Sequence, residues 1–143
     1  MKRTRWIFLL ALALLLGGCR AKGDAAGYEG DIKKAQEIAV IPYGESQETK
    51  IITEETEIEE FMKGLDLEAW IWKPLPHQAV PLGSFRLSKT ETQKLWQASG
   101  ERLRQMGTLT LYTGGYIRLT IAGLKVDFAI GNDAAAYLAE YFA

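Results

Sequence analysis

The sequence is poor in the side chains that most often carry chemistry. It has one cysteine and one histidine in 143 residues. A lone cysteine builds no intramolecular disulfide and no thiolate cluster, so a folded domain here must rely on its hydrophobic core. A lone histidine, His77, excludes the zinc sites that need two or more imidazoles. A Ser-His-Asp triad would have to use His77, with Ser84 or Ser88 as nucleophile and Asp127 or Asp133 as orienter. Neither serine sits in a G-x-S-x-G elbow. No Walker sequence, no G-x-G-x-x-G and no EF-hand loop occurs, so no nucleotide, calcium ion or other cofactor is expected. Basic residues are not in excess either: 17 Lys and Arg face 18 Asp and Glu. Nucleic acid, which favours a basic patch, is therefore not an expected partner. Long apolar runs are also scarce, and the single one lies near the N-terminus.

That run is Trp6 to Leu16, preceded by Lys2, Arg3 and Arg5. It is about half the roughly 20 residues a bilayer-spanning helix needs. A cationic start and a short apolar stretch predict a signal peptide, not a lasting transmembrane helix. The residues that follow are Leu16, Gly17, Gly18 and Cys19. An aliphatic residue, two small residues and a cysteine form the box at which a lipoprotein leader is cut. Cleavage is expected between Gly18 and Cys19. The Cys19 thiol then takes a diacylglyceryl thioether, and the membrane is the expected partner through that anchor. Two acyl chains hold stably where one does not, because each buried methylene adds about 0.8 kcal/mol. The expected location is the extracytoplasmic face of the cell membrane. Residues 1–18 are assigned to the leader, 19–35 to a lipidated cysteine and flexible Gly- and charge-rich tether, and 36–143 to one extracytoplasmic domain.

Within the domain, Glu37 to Tyr43 and Lys50 to Thr53 predict a hairpin. Thr53 is expected to cap a helix, with Glu54, Glu55 and Glu57 opposing the positive end of its dipole. Ile58, Phe61, Met62 and Leu65 supply its apolar stripe, and Gly64 sits near the expected stop. Helix-start complementarity explains the acidic cluster better than a metal site does, so no metal is expected. Glu68 to Lys73 predicts a strand with Trp70 and Trp72 on one face. Three prolines between Pro74 and Gly83 predict an irregular loop. A short strand is expected at Ser84 to Leu87. Capping-box spacings at Ser88 and Thr90 predict a helix from Thr90 to Met106, with Leu95, Trp96, Ser99, Leu103 and Met106 on one side. Three alternating strands follow: Thr108 to Thr113, Tyr116 to Ala122 and Lys125 to Ile130. Gly114-Gly115 is expected to form a two-residue turn, and Gly123 a second. Asn132 is expected to cap a last helix with Ala134, Tyr137, Leu138 and Tyr141 inward. The expected fold class is α+β: an antiparallel sheet with a C-terminal three-strand meander and two or three helices packed on one face.

Three segments resemble a group of small uncharacterised lipoproteins of Gram-positive bacteria. They are a short strand leading into Ile51-Ile52-Thr53-Glu54-Glu55 and its helix; Gly83-Ser84-Phe85-Arg86-Leu87 after a proline-containing loop; and the Tyr116-to-Ile130 hairpin with the terminal helix. The resemblance implies a membrane-anchored domain, and it carries over no functional residue except Cys19.

The outward side of the meander would present Thr110, Tyr112, Tyr116, Arg118, Thr120, Lys125 and Asp127. Tyr and Arg are enriched at binding hot spots, although Tyr and Thr also favour strands for their own reasons. Trp70, Trp72, Tyr112, Tyr116 and Arg118 are the candidate binding residues, and no catalytic residue is assigned. The expected function is a non-enzymatic binding or accessory module at the membrane. The alternatives are a small envelope hydrolase using His77 or paired carboxylates among Glu68, Asp127 and Asp133, and a structural surface protein with no specific ligand.

Overall fold

A computed structural model describes residues 24–92 and 101–143 of the chain. The leader, Gly18 and Cys19 lie outside the described residues. In chain order the elements are α1 (Ala26–Ile32), β1 (Glu37–Pro42), β2 (Lys50–Ile52), α2 (Glu55–Leu65), a 3₁₀ turn (Leu67–Ala69), β3 (Ile71–Trp72), β4 (Pro81–Thr92), β5 (Glu101–Tyr112), β6 (Tyr116–Ile121), β7 (Leu124–Ala129), α3 (Asn132–Ala139) and a closing 3₁₀ turn (Glu140–Phe142). The fold is α+β. All seven strands join one antiparallel sheet in the order β2-β1-β4-β5-β6-β7-β3. β5, β6 and β7 form the C-terminal meander.

The alternation along the strands explains the two layers. Ile38, Val40, Phe85, Leu87, Leu109, Leu111, Ile117, Leu119 and Phe128 are buried on one face. The helices cover that face with Ile32 from α1, Phe61 and Leu65 from α2, and Ala134 and Leu138 from α3. Aromatic edges fill the space between. Phe61 packs against Phe85 with ring centres 4.9 Å apart and against Tyr141 at 5.7 Å. Gly64 is needed where α2 meets α3: a Cβ there would lie 2.0 Å from the Tyr137 ring.

The amino-terminal boundary differs from expectation. Residues from Asp24 onward are not tether, because Ala25, Ile32 and Ala35 are all buried in the core. Gly27 and Gly30 do occupy α1, but it is held by burial at its ends, which outweighs the weak propensity of glycine. The folded unit thus includes at least the dozen residues before Gln36.

The helix expected from Thr90 to Met106 is also absent from the described residues of that segment. Lys89 to Thr92 continue β4, and Glu101 to Met106 belong to β5. Leu95, Trp96 and Ser99 lie outside the described residues. The ladder pairs Lys89 with Arg104 and Thr90 with Leu103, beyond the point where β1 and β6 end, so the hairpin extends past the sheet as a two-stranded ribbon. Gln36 clamps its base: its N–H donates to the Ser88 carbonyl at 2.8 Å, and its side-chain oxygen accepts from the Thr90 N–H at 2.6 Å. Cross-strand pairing of β-branched threonine competes with capping-box spacing here and prevails.

Three smaller boundaries move as well. Glu54, not Thr53, precedes the first turn of α2, and Gly131, not Asn132, precedes α3; neither makes a side-chain cap. The Pro74-to-Gly83 loop is shorter than expected, since Pro81 already opens β4. The first meander connection spans Thr113 to Gly115, because Tyr112 pairs with Tyr116. A two-residue turn would pair Tyr112 with Ile117 and put an outward and an inward side chain opposite one another. Gly114 and Gly115, at φ +84° and +82°, supply the left-handed backbone that the connection requires.

Candidate functional site

Among the described residues, the helices leave the other face of the sheet uncovered. Strand parity places Ser84 and Arg86 of β4, Thr108, Thr110 and Tyr112 of β5, Tyr116, Arg118 and Thr120 of β6, and Lys125 and Asp127 of β7 there. Three of the five candidate residues therefore share one surface: Tyr112, Tyr116 and Arg118.

Their arrangement follows from register. The Ala122-Gly123 turn pairs Ile121 with Leu124, which sets Arg118 opposite Asp127. The guanidinium grips the carboxylate with two bonds, Nε to Oδ1 at 2.7 Å and Nη2 to Oδ2 at 3.1 Å. Such a two-pronged pair is geometrically specific as well as charged. Arg118 sits 5.9 Å from the Tyr112 ring centre, and Lys73 Nζ sits 5.8 Å from that of Tyr116. Both distances are within cation–π range. The Arg118 hydrogen bonds hold the Asp127 carboxyl below its ordinary pKa, and a bond from the Leu75 backbone adds to this. The same pairing raises the Arg118 pKa.

Both guanidinium groups on this face are matched to carboxylates, while Lys125 stands exposed at its margin. Arg86 lies 3.7 Å from Glu48, and the Ser84 and Thr110 hydroxyls are 3.0 Å apart. What the face offers outward is rings and hydroxyls, with its guanidinium groups already engaged.

The two tryptophans part company. Trp70 is fully buried, packs 5.3 Å from Phe128, and donates its indole N–H to the Leu65 carbonyl at 2.7 Å. It closes the C-terminal end of α2, where helix carbonyls lack intrahelical partners. It follows a 3₁₀ turn, not a strand, so the alternation expected for Glu68 to Lys73 holds only at Ile71–Trp72. Trp70 is a core residue and leaves the set of candidate binding residues. Trp72 is 63% exposed at the sheet edge.

The residues considered for catalysis do not converge into a recognisable set. His77 is exposed in the loop between β3 and β4. Ser84 bonds Thr110, and Ser88 is buried. Asp127 is held by Arg118. Glu57 of the acidic cluster lies 3.6 Å from Lys50. Among the described residues no group of three or more His, Cys, Asp or Glu side chains is placed to hold a metal ion. Among the same residues no helix is long and apolar enough to cross a membrane.

No protein-family model, curated protein or solved structure matches the chain. The functional reading therefore rests on the side chains themselves.

Sequence reasoning placed Arg118 and Asp127 on one side but did not pair them. The signal was present: a two-residue turn at Ala122-Gly123 brings those two residues opposite each other.

Proposed function

We propose that the protein is a lipoprotein held by Cys19 at the extracytoplasmic face of a membrane. There it acts as a non-enzymatic binding module. The outer meander face recognises an envelope protein or a polar envelope ligand. The observation that carries this reading is the uncovered sheet face on which Tyr112, Tyr116 and the Arg118–Asp127 pair lie together. Rings and hydroxyls on a flat, pre-ordered surface lose little side-chain freedom on binding, which favours recognition. Because Arg118 and Arg86 are already matched to carboxylates, the face suits a neutral polar partner better than a polyanion.

The test is photo-crosslinking in cells from which the protein can be recovered. A benzophenone amino acid replaces Tyr116 in one chain and Glu59, exposed on α2, in another. A partner captured from position 116 and not from 59 supports the reading. Equal capture from both positions, or none from 116, overturns it.

A further inference from the structure

The sheet ends at β3, and that edge carries an unusual combination of side chains. Ile71 is 54% and Trp72 63% exposed. They belong to opposite faces of the strand, so both flank the edge itself. Trp72, Lys73, Pro74, Lys125, Val126 and Asp127 line one shallow open hollow beside it. Its one acid, Asp127, is held by Arg118, and Asp24 next to the strand accepts the Trp72 N–H at 2.7 Å. An exposed indole and an isoleucine beside two lysines are the side chains that suit a membrane–water boundary, where the ring sits among headgroups and lysine reaches outward.

Asp24, the first described residue, lies at the same edge. The Asp24 N–H donates to the Trp70 carbonyl at 3.0 Å, and its carboxylate holds Trp72. Five residue steps separate Asp24 from Cys19. Fully extended, they span at most about 18 Å. The opposite edge, β2, is six strands away, about 29 Å at ordinary strand spacing. A domain tethered at Cys19 cannot stand upright on its β2 edge, since β3 would then lie beyond that reach, whereas its β3 edge is always within reach. The helix layer is a poor alternative, since Glu54, Glu55, Glu59 and Glu60 are exposed there and anionic lipid repels them. Arg20 and Lys22, inside the short connection, add attraction to such lipid.

We infer that the β3 edge, led by Trp72 and Ile71 and flanked by Lys73 and Lys125, seats in the headgroup region of the membrane and fixes the orientation of the domain. The bilayer is the occupant of this edge. The inference rests on the lipid-anchored reading above. In this orientation the sheet stands on the membrane by its edge, and the outer meander face opens sideways along the membrane surface.

The test uses the processed full chain, purified from envelopes in detergent and reconstituted into phosphatidylcholine–phosphatidylglycerol vesicles. A Trp96→Phe background leaves Trp70 and Trp72 as the emitting indoles once the leader is removed. Intact-mass measurement first reports whether the chain carries a diacylglyceryl group. Lipids brominated on their acyl chains then quench indoles that enter the bilayer boundary. The expected result is a lipidated chain whose emission is quenched, with the quenched component lost on Trp72→Phe. A lipidated chain with no quenching, or with quenching that survives Trp72→Phe, overturns the seating and leaves the anchor standing. A processed chain without lipid overturns the anchored reading, and the seating with it. The exposed Trp72 is replaced by another aromatic ring, and matched urea midpoints for the two chains show that folding is not the cause.

Discussion

The Arg118–Asp127 pair makes a quantitative test of the outer face. Its two bonds are 2.7 and 3.1 Å long, and the side chains are 30% and 20% exposed. Two unit charges about 4 Å apart attract by about 4 kcal/mol at an effective dielectric of 20. Desolvation and the ordering of both side chains remove most of that. Exposed pairs retain about 0.2–1 kcal/mol, and two-pronged geometry places this pair near the top, about 1 kcal/mol. Arg118→Ala, Asp127→Ala and the double variant close a thermodynamic cycle that isolates this coupling. Urea unfolding at pH 7 measures it. Acid supplies a second reading. The Asp127 carboxyl titrates below its ordinary value in the folded chain. Its contribution is therefore fully present above the unfolded aspartate pKa of roughly 3.9, and is lost as pH falls through the lower folded value. The coupling should shrink toward zero across that window. A coupling below about 0.3 kcal/mol at neutral pH, or one that persists in strong acid, would refute the argument that this pair orders the face.

Three further outcomes follow from the packing. Gly64→Ala gains helix propensity of up to about 1 kcal/mol, yet its Cβ would meet the Tyr137 ring at 2.0 Å; overpacking of about 1–3 kcal/mol should win, and a raised urea midpoint would contradict it. Trp70→Phe strands the buried Leu65 carbonyl and should cost about 1–3 kcal/mol, while Trp72→Phe at the exposed edge should stay within about 0.5 kcal/mol; thermal melts that rank the two the other way would reverse their assignments. A chain beginning at Gln36 loses the buried Ile32, Ala25 and Ala35 and should be about 3 kcal/mol less stable than one beginning at Asp24; equal stability by urea unfolding would return those residues to a tether.

The meander was legible because its apolar residues alternate with period two and its turns contain glycine. Those signals are local, and Ile117, Leu119 and Phe128 are inward as the pattern requires. The long β4–β5 hairpin was not legible. Its outer part lacks strong alternation, and Ser88-Lys89-Thr90-Glu91 also satisfies a helix-start pattern. Pairing with β5, the next strand in the chain, decided between the two. Such pairing is a property of register, which no window of a few residues contains. The first helix failed to stand out for a related reason. Gly27 and Gly30 argue against it locally, and burial of Ile32 against the rest of the core outweighs them.

The candidate binding residues divide along the same line. Tyr112, Tyr116 and Arg118 could be grouped from parity alone, since strands carry outward side chains two residues apart. Trp70 and Trp72 are also two apart, and the same rule put them together, but it holds only while the backbone stays extended. The left-handed turn at Asp66, φ +48°, and the 3₁₀ turn after it break the strand one residue before Ile71. That break aims Trp70 at the end of α2 and leaves Trp72 outside. The separation gives the two indoles different work. Trp70 fastens helix to sheet beneath the edge, and its backbone carbonyl receives Asp24. Asp24 is thus tied to the residue with the largest fully buried side chain of the core, directly beside the exposed ring. A load applied through the connection to Cys19 would reach the sheet at β3 before any other strand. For that reason the orientation proposed for the membrane and the stability measured at Trp70 should be coupled. Trp70→Phe keeps the backbone bond to Asp24 but frees the residue beneath it from the Leu65 carbonyl, and so should reduce quenching of Trp72 by brominated lipid under conditions where the fold persists. Undiminished quenching in that variant would separate the mooring from the seating.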